Sequence, residues 1–167
     1  MAPAGEKHDH AALMDSIYRG QKYIYDITRK YYLFGRDDLI RGLDCQPGDG
    51  VLEIACGTGR NLAKVQQAYP GTRLFGIDIS AEMLSSAQGK LGTKAILASA
   101  DARQFDARAM LGRPTFERVI LSYSISMIPD WERALRHAAT LVAPGGSLCL
   151  RNHSKGRGSA PIVARML

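Results

Sequence analysis

Five short apolar runs, each with strand length, punctuate the chain between residues 50 and 151. They are GVLEIA (50–55), RLFGID (73–78), KAILAS (94–99), FERVILSY (116–123) and GGSLCLR (145–151). Stretches of helical character separate most of them: residues 58–68, the segment SAEMLSSAQGKL from Ser80, and residues 129–141. Ser80 is a helix-capping residue type, and Glu82 sits in the first turn, where the helix dipole favours a negative charge. Pro129 stands near one helix start and Pro144 beyond its end. Strands alternating with helices imply a mostly parallel α/β sheet.

The turn after the first run, ACGTG, constrains the ligand. In such sheets ligands bind beyond the carboxyl ends of the strands, at the switch point near the first strand. A dinucleotide fingerprint needs glycine at three positions, which here hold Ala55, Gly57 and Arg60. Glu53 adds a negative charge just before the turn, which disfavours phosphates and suits a ligand carrying an ammonium and a sulfonium. S-adenosylmethionine is such a ligand. Asp78, closing the second strand, can accept from both ribose hydroxyls. Asp101, in SADA after the third strand, is placed to accept from the adenine amino group. A glycine turn alone can be structural, Asp78 alone a helix cap and Asp101 alone a solvated loop acid. Their combination with Glu53 favours S-adenosylmethionine over a nicotinamide cofactor.

E-x-A-C-G-T-G, G-I-D-I-S, S-A-D-A and L-V-A-P-G-G-S-L together resemble class I S-adenosylmethionine-dependent methyltransferases, over residues 48–150. The departure is Ala55, where that family has glycine. The resemblance implies a Rossmann-like sheet and a cofactor site built from Glu53, Ala55, Cys56, Gly57, Thr58, Gly59, Asn61, Asp78, Ile79, Met83, Ala100, Asp101 and Ala102. Ser122, Tyr123 and Ser124 then end the fourth strand, where the methyl group emerges. The product is S-adenosylhomocysteine. Such a reaction is an in-line displacement, so no catalytic base is assigned, and no metal.

Residues 14–43 show helical periodicity, with Ile17, Ile24, Ile27, Tyr31 and Phe34 in phase and Gly35 dividing two helices. YRGQKYIYDITRKYYLFGRDDLIRGL resembles the lead-in of the N-methyltransferases of betaine-lipid synthesis, which act on diacylglycerylhomoserine. The basic, tyrosine-rich segment itself suits a lid, with Tyr25 and one of Arg29 or Lys30 as candidates to close the site and pair with the cofactor carboxylate. The resemblance implies three successive methyl transfers to a lipid-borne primary amine. It also implies an amine acceptor that is small or lipid-borne. A ubiquinone-type C-methyltransferase, and a module that binds S-adenosylmethionine without turnover, are the alternatives. The tyrosine-rich basic lid suits peripheral contact with a membrane surface as well.

The ends supply the remaining expectations. Residues 1–13 read as disordered and lack the apolar core of a signal peptide, so the expected location is cytoplasmic, reaching to the inner face of the membrane. Cys45, Cys56 and Cys149 suit reduced thiols. The net charge is +6, but four of those charges fall in residues 151–167, so the body offers no stripe for nucleic acid. Residues 44–151 form the expected cofactor-binding domain and residues 152–167 a basic, irregular tail. This continuation is short for the family, which adds a helix and an antiparallel pair after the fifth strand. The expectation is an exposed edge on that strand, and with it a homodimer.

Overall fold

The computed structural model describes residues 36–122, 124–151 and 162–167 of the 167-residue chain. The proposed disordered N-terminus and residues 14–35 of the proposed lid lie outside the described residues. So does most of the proposed tail.

The order is α1 (Arg36–Arg41), β1 (Gly50–Ile54), α2 (Arg60–Ala68), β2 (Arg73–Asp78), α3 (Ala81–Leu91) and β3 (Ala95–Ser99). It continues with α4 (Ala107–Leu111), β4 (Phe116–Ser122), α5 (Trp131–Thr140), β5 (Val142–Arg151) and β6 (Ile162–Arg165). The sheet order is β3-β2-β1-β4-β5-β6. The first five strands are parallel, and β6 runs antiparallel to β5.

Period-two alternation sorts the strand residues into two cores. Val51, Leu74, Ile120 and Cys149 face Leu39 of α1, Leu43 in the turn after it, Leu62 of α2 and Leu91 of α3. Leu52, Ile54, Phe75, Val119 and Leu148 face Leu111 and Ala138, on the side of α4 and α5. Both faces of the sheet are covered, as an all-parallel arrangement requires. The amino-terminal end of the sheet is fastened by Glu117, which accepts from Gly50 N at 2.5 Å and from Arg113 Nη2 at 2.9 Å. The Arg113 guanidinium also lies over the Phe116 ring, 5.2 Å from its centre.

The boundaries differ from the sequence reading where backbone geometry intervenes. The second helix begins at Arg60 because Gly59 adopts φ +72°, outside helical space. The fifth helix begins at Trp131, because Asp130 at φ +53° precedes it. A further short helix, Ala107–Leu111, has Asp106 capping Ala109 N and Gly112 closing it at φ +79°.

Two expectations need correction. Residues 162–165 are not irregular: Ile162 to Arg165 pair with Leu150 to Ser147. The fifth strand is therefore not the exposed edge, since β6 covers it, and the homodimer loses the premise on which it rested. His137 of α5 is half-buried, and its Nε2 accepts from Phe105 N at 3.3 Å.

Candidate functional site

Strand order reverses between β1 and β4, so a crevice opens where their carboxyl ends part. On one side of it stands Glu53, 2% exposed, on the sheet face covered by α1 to α3. A buried carboxylate needs a partner. Asn61, in the first turn of α2, donates from Nδ2 to Glu53 Oε1 at 2.7 Å. That bond fixes both side chains beneath the turn.

The turn itself is held by its own donors. Ala55, Gly57 and Gly59 have φ of +56°, +55° and +72°. Cys56 N donates to Ile77 O at 2.9 Å, and Gly59 N to Cys56 O at 3.0 Å. Gly57 N donates to Asp78 Oδ2 at 2.8 Å. A phosphate cradle directs such N–H groups at its ligand. Here both glycine donors are spent on the chain. Gly59 instead serves packing: a Cβ there would lie 2.8 Å from Leu91 Cδ1 and 3.1 Å from Ala87 Cβ, both on α3. Arg60 turns aside to Asp37 of α1, at 3.3 Å.

Asp78 is buried at the end of β2 and also accepts from Ser80 N at 2.9 Å. A carboxylate offers about four lone-pair sites, and these two N–H bonds fix the orientation of this one. Ile79 and Met83 follow, half-buried, and Ser80 caps α3 by accepting from Met83 N at 3.3 Å. Thr58 accepts from Lys90 Nζ at 3.5 Å. Cys56 sits over Gly76, whose missing Cβ would lie 2.9 Å from the sulfur. Burial, then the charges of Glu53 and Asp78, push the Cys56 thiol far above its ordinary range. It is no nucleophile.

The expected adenine contact has a competitor that sequence reading missed. Asp101 accepts from Arg103 Nη2 at 2.7 Å, from Arg103 Nε at 3.0 Å and from Arg103 N at 2.9 Å. Much of its acceptor capacity is engaged by a residue two positions on. Ala100 and Ala102 are half-buried against the second core.

Across the crevice, Ser122 ends β4 on the same face as Glu53, since Ile120 pairs with Glu53 and packs in the same core. Ser122 and Ser124 are buried, and the Oγ of each has no hydrogen-bond partner among the described residues. Tyr25, Arg29, Lys30 and Tyr123, expected in the site, lie outside the described residues. The structure thus brings Glu53, Asn61, the turn, Asp78 and Ser122 to one end of the sheet. Two carboxylates, Glu53 and Asp78, stand at the ends of β1 and β2, while the charge of Asp101 is met by Arg103.

A family model described as a methyltransferase domain matches residues 51–146. A phosphatidylethanolamine N-methyltransferase from Cereibacter sphaeroides is 32% identical over 118 residues, 70% of this chain and 56% of that protein. A ubiquinone/menaquinone biosynthesis C-methyltransferase from Klebsiella pneumoniae is 28% identical, over 89% of this chain and 62% of that protein. Among solved structures, an S-adenosylmethionine-dependent methyltransferase from Geobacter sulfurreducens, in complex with S-adenosyl-L-homocysteine, superposes with a TM-score of 0.56. It shares 19% identity and covers 70% of this chain and 46% of that one. The chain spans under two thirds of the length of these curated relatives.

Proposed function

The chain belongs to the methyltransferase domain family, with its Rossmann-like fold, and from that premise we propose that it transfers a methyl group from S-adenosylmethionine to an amine of a small or lipid-borne acceptor. The observation that carries this reading is the turn 55–59, whose glycine N–H groups are spent on Asp78 and Cys56 rather than offered to a phosphate. Beside it lies the buried carboxylate of Glu53. That pairing rejects a pyrophosphate and suits a cationic ligand.

S-adenosylmethionine, when bound, supplies an activated methyl group on a sulfonium. The residues of this chain do the rest. Asp78 is held by two backbone N–H groups and needs no reorganisation to accept ribose hydroxyls. Glu53, fixed by Asn61, presents a negative charge to the ammonium end of the ligand. In low dielectric such a preset charge acts more strongly than in water. Alignment of acceptor with donor is worth about 7–11 kcal/mol in well-oriented reactions, enough to make a catalytic base dispensable. An amine must arrive neutral to attack, because its protonated form has no lone pair to offer.

A carbon acceptor of the quinone-precursor type is the second reading, favoured by the 89% of this chain that aligns with the quinone C-methyltransferase. Mass spectrometry of products separates the two. The chain is incubated with S-adenosylmethionine and either phosphatidylethanolamine vesicles or a demethylated quinol. Product gaining one to three methyl masses on nitrogen supports the amine reading. Methylation of the quinol alone overturns it.

A further inference from the structure

Between β3 and α4 the chain runs as a strap, residues 100–106, tied down at both ends. Its first residue is tied to the cofactor side of the sheet: Ala100 N donates to Asp78 O at 3.1 Å. A turn follows, in which Gln104 N donates to Asp101 O at 3.0 Å. The far end is tied to α5. Arg133 Nη2 donates to Gln104 Oε1 at 2.6 Å, and Phe105 N donates to His137 Nε2 at 3.3 Å. The Phe105 and His137 rings also meet edge to face, their centres 4.8 Å apart. Asp101 and Ala102, the expected adenine contacts, lie between the two ties.

We propose that His137 is a positioning residue for the cofactor site: as a neutral ring it holds the strap that carries Asp101 and Ala102, and when protonated it releases it. The inference rests on the S-adenosylmethionine reading given above. Nε2 accepts only while it carries no proton, so the holding ring has its hydrogen on Nδ1. Protonation sets a donor against the Phe105 N–H, which then loses its partner in a half-buried place. The Arg133 to Gln104 bond is exposed to water, so it is the weaker of the two ties to α5. An open cavity of about 740 Å³, lined by Phe105, Asp106, Arg108, Pro114 and His137 among others, gives protons a path to the ring. The charges around the ring are Arg133 on α5 itself, with Asp106 and Arg108 on the cavity wall from the α4 side. Asp101 and Arg103 of the strap meet each other at 2.7 Å, and Glu132 and Arg136 of α5 pair at 3.7 Å. Chiefly through burial, the His137 imidazole is held below its ordinary range. The contact is therefore complete above the unfolded histidine value, about 6.5. It is lost as pH falls through the lower folded value.

The test titrates the full chain with S-adenosylhomocysteine at about pH 7.5 and about pH 5, on either side of a histidine's range. The expected result is affinity about fivefold weaker at the lower pH, the effect of losing one hydrogen bond. His137→Gln keeps an amide oxygen in place of Nε2 but does not titrate. It should bind as the parent does at the higher pH and keep that affinity at the lower one. His137→Leu, with no acceptor, should bind weakly at both. Amide hydrogen exchange of the cofactor-free chain, corrected for the intrinsic rate, reads the same contact separately. Protection at Phe105 should fall with pH in the parent and stay constant in His137→Gln. Affinity in the parent that does not change with pH, or an equal acid loss in His137→Gln, overturns the proposal. So does Phe105 protection that is the same at both pH values. Failure to bind S-adenosylhomocysteine at either pH counts instead against the methyltransferase reading, and the exchange measurement then decides whether His137 holds the strap.

Discussion

The carboxylates at the ends of β1 and β2 are held by the chain itself, while the hydroxyls at the end of β4 are not. Asn61 secures Glu53, and two backbone N–H groups secure Asp78. Ser122 and Ser124 are buried too, yet their oxygens find no hydrogen-bond partner among the described residues. One side of the crevice is organised in advance and the other is left incomplete. Such a division suits a protein that binds one constant ligand on the first side and takes an exchangeable one on the second.

The largest effect should come from removing Asp78. Asp78→Ala leaves the N–H groups of Gly57 and Ser80 without their acceptor, each hydrogen bond to a charged group being worth about 1.5–3 kcal/mol. Urea denaturation should show a loss on the order of 3 kcal/mol or more, and S-adenosylhomocysteine affinity should fall about 100-fold or further. Retained affinity would mean that the held side is scaffolding only.

Next is Gly59→Ala, which forces a Cβ onto Leu91 at 2.8 Å in a backbone with φ +72°. Overpacking and left-handed strain together should cost about 2–4 kcal/mol. Gly89→Ala, on the open side of α3, is the control, and should stabilise by about 0.5–1 kcal/mol. Similar denaturation midpoints for the two variants would refute the packing role of Gly59.

Two buried serines sharpen the contrast. Ser80→Ala removes a helix cap and should cost about 1 kcal/mol. Ser122→Ala removes an oxygen with no hydrogen-bond partner among the described residues, and should leave stability unchanged or raise it by up to about 1 kcal/mol. An equal loss in both would show that Ser122 is tied into the fold after all.

Smaller still is Ala55→Gly. Left-handed strain of about 1–2 kcal/mol is relieved, offset in part by the larger entropy of unfolded glycine. A gain below about 1 kcal/mol is expected in thermal unfolding, and a loss would show that the methyl group contributes packing there.

The pH effect is the mildest. Burial alone would raise the Glu117 carboxyl, but hydrogen bonds from Gly50 N and its own N–H, and then Arg113, outweigh it and hold it below the usual range. A folded pKa below the unfolded one gives stability that is complete above the unfolded value and is lost as pH falls through the folded one. Acid titration of stability should therefore decline less steeply in Glu117→Gln. An unchanged slope would remove Glu117 from the account.

The sequence made the held side of the crevice legible because its parts are local. A strand, a glycine turn, a helix and an acid at the next strand end follow one another between residues 50 and 83. The short helix Ala107–Leu111 carried its signals too, Asp106 before it and Gly112 after it, but five residues give no periodicity to read. What remained hidden depends on pairing across distance. IVAR becomes a strand only when laid on β5, and Ser122 meets Arg151 only after a register shift between Phe116 and Arg118. The engagement of Asp101 by Arg103 turns on side-chain geometry two residues apart, which residue type alone does not convey.

The most direct test is calorimetric titration of the purified full chain with S-adenosylhomocysteine, with NADH as the control ligand, repeated on Asp78→Ala. The account predicts one-to-one binding of S-adenosylhomocysteine, none of NADH, and loss of binding in the variant. Binding of NADH, or undiminished binding of S-adenosylhomocysteine by Asp78→Ala, would contradict the claim that this turn and this carboxylate are built for a cationic adenosyl ligand.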